Sequence, residues 1–153
     1  MALSDDLEHV LPADALEEAH LDAIRTFVRS HADPFDRRLA DAHCTASAFV
    51  LSADGDALAF VYHRKLACWL NPGGHGEPGE TAGEAVALRE AQEETGLVGL
   101  ALHSDAPRPF DVDVHRIPQF GDVAAHDHLD LRYVVVAPAG AVLRASPEET
   151  AGA

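Results

Sequence analysis

The chain reads as α+β, an α/β/α sandwich built on a mixed sheet rather than a doubly wound parallel sheet. Three observations predict this. Ala15 to Ser30 carries helical periodicity, Cys44 to Tyr62 reads as two strands joined by an Asp54-Gly55 turn, and a glycine-rich loop feeds a second helix over Thr81 to Thr95 with further strands after it.

Taken in order, Leu16, Ala19, Ala23, Ile24, Phe27 and Val28 recur at about helical spacing, with Glu17, Glu18, Asp22 and Arg25 between them. Pro34 lies in the segment that ends this helix. Cys44 to Ser52 and Leu58 to Tyr62 are predicted to form a hairpin around Asp54-Gly55. Trp69 to Gly79 is expected to be loop. Thr81 with Glu84 forms a capping box at the second helix, and Gly96 stands where a terminating glycine belongs. Short strands are expected at Val98 to His103 and Asp111 to Ile117, an exposed loop at Pro118 to Asp127, and a buried strand at Leu129 to Val136. Ser146-Pro147 reads as the start of a closing helix with too little chain after it. The expectation is a single domain over 1–153 with an N-terminal helical extension of about 40 residues, the closing helix truncated or replaced by a neighbouring subunit in a homodimer.

Composition narrows the partners. Eleven basic against 26 acidic residues give a formal net charge of −15, which repels nucleic-acid polymers and anionic membranes. A small phosphorylated substrate stays compatible if bound cations reverse the local field. Cys44 and Cys68 are too few for a disulfide framework and read as reduced thiols. Met1 to Asp6 lacks the pattern of a signal peptide, and the apolar run Tyr133 to Leu143 is too short for a membrane span, so a cytoplasmic location is expected.

The chemistry is concentrated between Asn71 and Leu97. Glu90, Glu93 and Glu94 fall at i, i+3 and i+4, on one helical face one turn apart. Like charges so placed repel unless a cation sits among them. Hard divalent cations prefer carboxylate oxygens, neutralise phosphate charge and lower the pKa of bound water. Backbone groups of the glycine loop can approach the same ions, and Arg89 can hold a carboxylate by bidentate pairing.

This segment resembles the Nudix box, the signature of the Nudix hydrolase family. Gly74 and Glu80 match its first part, and Arg89, Glu90, Glu93, Glu94, Gly96 and Leu97 its second. One more residue separates Glu80 from Arg89 than the family pattern has, and Ala91 occupies an aliphatic position. Asp33 to Arg38, His63 to His75, Asp111 to His115 and His126 to Tyr133 are similar to a subgroup of bacterial Nudix proteins. The resemblance implies a Nudix-like fold and hydrolysis of a diphosphate linked to another moiety. It implies Mg²⁺ or Mn²⁺ at Glu90, Glu93, Glu94 and Gly74, with Glu90 acting on water and Glu80 and Arg89 in support.

Other residues invite a role. His126, His128 and Asp130 alternate, so on an extended segment they share a face, predicted here to be the space that Glu90 faces. Asp113 and His115 share a face in the same way. Arg132, Trp69 and Asp130 are candidate substrate-binding residues, and His75 could reach the ions. His63, Arg64 and Lys65 form a local basic patch that reads more readily as a solvated turn. Two other functions stay open: a nucleotide-binding module without turnover, and a metalloprotein ligated by His126 and His128, with or without His115.

Overall fold

The computed structural model describes residues 3–144. Two helices, α1 (Leu3–Leu7) and α2 (Ala15–Ser30), precede β1 (Ala42–Leu51). Then come β2 (Leu58–Ala59), β3 (Val61–His63), β4 (Cys68–Leu70), β5 (Gly73–His75), α3 (Gly83–Thr95), β6 (Ala101–Leu102), β7 (Asp111–Ile117) and β8 (His126–Val136). The Ser146-Pro147 helix start lies outside the described residues.

The six-stranded sheet is mixed, as expected. Its centre is the parallel pair β1 and β8, in register from Ala42 opposite Asp127 to Leu51 opposite Val136. Antiparallel β2 and β5 flank β1, and antiparallel β6 and β7 flank β8, while β3 and β4 form a separate two-stranded ribbon.

Alternation divides this sheet into two chemically different faces. Cys44, Ala46, Ala48 and Val50 of β1 lie with Leu129, Leu131, Tyr133 and Val135 of β8 in one buried core with Val86, Ala87 and Ala91 of α3 and Leu7, Leu21 and Ile24 of the N-terminal helices. Deleting Leu131 to alanine there would cost about 2–5 kcal/mol. The opposite face is polar. It carries His43, Thr45 and Ser47 of β1, paired in register with His128, Asp130 and Arg132 of β8. Helix α2 covers the outer edge of β7, where Val112 N–H donates to Glu17 Oε1 at 3.4 Å and Val114 N–H donates to His20 Nδ1 at 3.2 Å. Those groups would otherwise be an open pairing edge.

Four local expectations need correction. The returning strand is not continuous: β2 pairs with β1, but from Val61 the chain pairs with β4 instead, and half-exposed Phe60 marks the switch. The segment Trp69 to Gly79 is not all loop, since it contains part of β4 and all of β5. Its glycines serve close approach within a strand: a Cβ on Gly73 would overlap Ser47 and one on Gly74 would lie 2.6 Å from Glu90 Cδ. Helix α3 starts two residues later than predicted. Its N-cap is Ala82 without a side-chain cap, and the first helical residue, Gly83, has to be a glycine because the Tyr133 hydroxyl fills the space of a Cβ. The capping box of Thr81 and Glu84 is therefore not formed. Finally, β8 begins at His126, three residues before the apolar run, because its first polar side chains face other polar groups rather than water.

Candidate functional site

Two clusters of chemically able side chains border β5, one on each side. The first is the carboxylate group of α3. Gly96, in the left-handed conformation at φ 67°, ends that helix as predicted and donates its N–H to the Gln92 carbonyl. The outer edge of β5 is satisfied by α3 side chains. Gly73 N–H donates to Glu94 Oε2 at 2.9 Å, and Arg89 Nη2 donates to the His75 carbonyl at 2.8 Å. Gly74, lacking a Cβ, lies against the carboxylate of Glu90.

Arg89 organises the rest. Its guanidinium pairs with Glu80 at 2.9 Å, Glu90 at 2.9 Å and Glu93 at 3.4 Å. The hydrogen bond from Arg89 holds the Glu80 carboxyl below its usual range, and the same partners raise the pKa of Arg89. The extra residue before Arg89 thus leaves the Glu80 pair intact. Three carboxylates share one guanidinium, and Glu94, 6% exposed, adds a fourth negative group met by a backbone N–H. A divalent cation with oxygen ligands fits that donor set and its excess of negative charge.

The second cluster lies on the polar face of the sheet. One nitrogen from each of His43, His75, His126 and His128 falls within 4.8 Å of the others. His128 Nε2 is 3.1 Å from His75 Nε2 and 3.2 Å from His126 Nε2. Nδ1 of His126 donates to the Ala124 carbonyl at 2.9 Å, and Nδ1 of His43 to the Leu39 carbonyl at 3.2 Å. Burial, followed by neighbouring positive and histidine groups, lowers His75 to about 4, and burial with the adjacent histidines lowers His128 to about 3. His43 is lowered too, chiefly by burial. Burial acts this way because it disfavours the charged imidazolium.

Beside the histidines, Asp130 is buried and accepts from Thr45 Oγ1 at 2.9 Å and Ser47 Oγ at 2.7 Å. Arg132 pairs with Asp111 and Asp113 at 2.9 Å and with Asp130 at 3.2 Å. Burial opposes its charge, but these aspartates outweigh that and raise its pKa. His115 Nδ1 meets Asp113 at 2.9 Å, so those two do share a face. Trp69 is 57% exposed and packs edge-on against Tyr62 of the two-stranded ribbon. His63, Arg64 and Lys65 lie at that ribbon's turn, where Lys65 Nζ sits 4.9 Å from the Phe120 ring centre. Cys44 is buried and its thiol is pushed up to about 12, first by burial and then by Asp130; Cys68 is also a free thiol.

His126, His128 and Asp130 share a face with His43, Thr45 and Ser47, but that is not the side Glu90 occupies. Alternation along β5 puts the His75 ring on the polar face and the open side of Gly74 on the other, where the Glu90 carboxylate sits. The backbone of β5 joins the two clusters, through Gly73 N–H to Glu94 and the His75 carbonyl to Arg89. Asp130 and Arg132, candidates for substrate contact, are engaged with each other and with neighbours of the sheet. Sequence reasoning missed His43, Thr45 and Ser47. His43 sits 85 residues before His128 in the chain, and a lone histidine ahead of an apolar strand carries no signal until β1 and β8 are known to be parallel neighbours.

The NUDIX domain family model matches residues 41–153. The chain belongs to the Nudix family. Its matched region starts just before β1 and leaves α1 and α2 outside it. The fold is similar to a crystal structure of a NUDIX-family hydrolase from Clostridium perfringens, with 26% identity, a TM-score of 0.51, and 72% of this chain and 77% of that chain covered. It is also similar in fold to the C. elegans Ap4A hydrolase in a binary complex, with 17% identity, a TM-score of 0.50, and 70% and 74% covered. No curated protein matches the sequence. The chain is an enzyme of the Nudix pyrophosphohydrolase type, and among its described residues no helix is long and apolar enough to cross a membrane.

Proposed function

We propose that this Nudix enzyme hydrolyses a phosphoanhydride bond in a small nucleoside-diphosphate-linked or related diphosphate substrate, with Mg²⁺ or Mn²⁺ held by Glu90, Glu93, Glu94 and the main chain of Gly74. The observation that carries the reading is the sharing of Arg89 by Glu80, Glu90 and Glu93, with Glu94 seated on Gly73 N–H beside them. When bound, the divalent cation would supply charge neutralisation at the phosphates and make water more acidic.

The side chains do the rest. Water oxygen forms the new bond to phosphorus, the bridging P–O bond breaks, and both products leave phosphorylated. Glu90 accepts the proton of the attacking water. Arg89 holds Glu90 at 2.9 Å and is itself fixed by Glu80 and the His75 carbonyl, so the base is oriented by two further anchors. Glu94, seated on Gly73, ties the glycine strand to the helix.

The test is a screen of nucleoside di- and triphosphate derivatives with Mg²⁺ or Mn²⁺, reading product identity, run beside Glu93→Gln and Glu94→Gln. Both variants should stay folded and lose orders of magnitude in turnover, because a hard cation loses a charged ligand. Near-normal turnover in both would remove the assignment.

A further inference from the structure

The polar face of the sheet holds donors that the hydrolytic reading does not use. We infer that His43, His75, His126 and His128 form a second metal site, made only of imidazole nitrogen and suited to Zn²⁺ or a neighbouring transition metal rather than to Mg²⁺.

The rings come from three strands: His43 from β1, His75 from β5, and His126 and His128 from β8. Four donors within 4.8 Å of one another bracket the roughly 3.3 Å edge of a tetrahedron whose metal–nitrogen bonds are about 2.0–2.1 Å. Two of the separations, 3.1 and 3.2 Å, are already close to that edge.

Proton bookkeeping points the same way. The carbonyls of Ala124 and Leu39 can only accept, so Nδ1 carries the hydrogen in neutral His126 and His43. Their Nε2 atoms are then lone pairs. A single hydrogen at most can bridge the contacts His128 makes with His75 and His126. His43, 3% exposed, has its Nε2 buried with no hydrogen-bond partner among the described residues. A buried acceptor left without a donor costs about 1–3 kcal/mol. A cation at the centre gives every lone pair a partner. A carbonyl on the far nitrogen is also the arrangement by which metal-bound histidines are oriented and made more basic.

Nitrogen donors choose the metal. Imidazole suits Zn²⁺, Cu²⁺ and Ni²⁺, whereas Mg²⁺ demands oxygen and keeps its waters. Four protein ligands close a tetrahedral shell, the pattern of a structural rather than a catalytic zinc. Such an ion would clamp β5 to β1 and β8, and so steady the strand whose edge Arg89 and Glu94 contact. The inference stands apart from the hydrolytic reading, since its donors and its metal class differ.

The experiment uses the full chain without a polyhistidine tag. Metal content after purification is measured by mass spectrometry, and the chelated protein is then titrated with Co²⁺ and Zn²⁺. Expected are about one Zn²⁺ per chain, intense visible bands of tetrahedral Co²⁺, and their displacement by Zn²⁺ but not by millimolar Mg²⁺. His43→Ala and His128→Ala should lose more affinity than the roughly 10–100-fold that follows removal of an outer partner of a ligand. Glu90→Gln and Glu94→Gln should keep the Co²⁺ bands, which separates failure here from failure at the carboxylates. Absence of tetrahedral Co²⁺ in the wild-type chain overturns the inference even if the histidine variants misfold. So does retention of the bands in folded His43→Ala and His128→Ala, or their loss in the glutamate variants.

Discussion

The carboxylate cluster of α3 and the histidine cluster of β1, β5 and β8 lie on either side of one short strand, yet they were unequally legible. The carboxylates are local: Glu90, Glu93 and Glu94 are fixed relative to one another by the turn of a single helix. The histidines converge only because β1 and β8 run parallel, a pairing across more than eighty residues. The comparison teaches that a site written within one element can be read from spacing, while a site written across strands waits for the register. Their chemistry differs in the same way: oxygen donors with an excess of negative charge on one side, neutral nitrogen donors on the other.

The largest expected effect separates the two clusters by reaction. Glu90→Gln should lower turnover by about 10²–10⁴-fold with the circular dichroism spectrum unchanged, as loss of a general base does. In the same variant, Mg²⁺ or Mn²⁺ should no longer raise the melting temperature as it does in the wild type, where the ion binds only the folded site. A wild-type scan with no shift between EDTA and millimolar Mg²⁺ would count against the acidic site.

The next effect tests the strand between the clusters. Gly74→Ala places a Cβ 2.6 Å from Glu90 Cδ. It should cost about 1–3 kcal/mol in denaturant unfolding, the usual penalty of overpacking, and should lower turnover as well because the displaced group is Glu90. Unchanged stability and turnover would show that β5 does not hold the carboxylate where the structure has it.

Asp130→Asn sharpens the contrast from the polar face. Alternation alone suggested a substrate contact, but Asp130 accepts from two buried hydroxyls and pairs with Arg132. The substitution is expected to lower stability by about 1–3 kcal/mol, with a smaller effect on turnover. A large fall in kcat at unchanged melting temperature would restore Asp130 to the substrate side.

The smallest effect is a pH slope. Arg89 holds the folded Glu80 carboxyl below its ordinary value. The sign follows: the group stabilises the fold above its unfolded pKa, and that contribution is lost as pH falls through the lower folded one. Glu80→Gln should therefore flatten the loss of stability on acidification in urea melts across the carboxylate range. An identical slope in the variant would mean that the Arg89 pair contributes nothing to acid lability.

Residue order alone was enough for α2, which runs from Ala15 to Ser30 as its periodicity predicts, for β7 over Asp111 to Ile117, and for the glycine stop at Gly96. It was enough also to put Glu90, Glu93 and Glu94 within one turn of each other on α3, because helical periodicity and i, i+4 spacing act over a few residues and need no partner elsewhere. Tertiary structure alone decided that Gly73 and Gly74 belong to a strand, since only Ser47 and Glu90 packed against them reveal why a side chain is excluded. It decided that Phe60 separates two sheets, that Arg132 is held by three aspartates, and that His43 meets histidines from two other strands. For the two glycines and His43 the deciding contact joins residues far apart in the chain, and strand register, which no local pattern encodes, sets which of them meet.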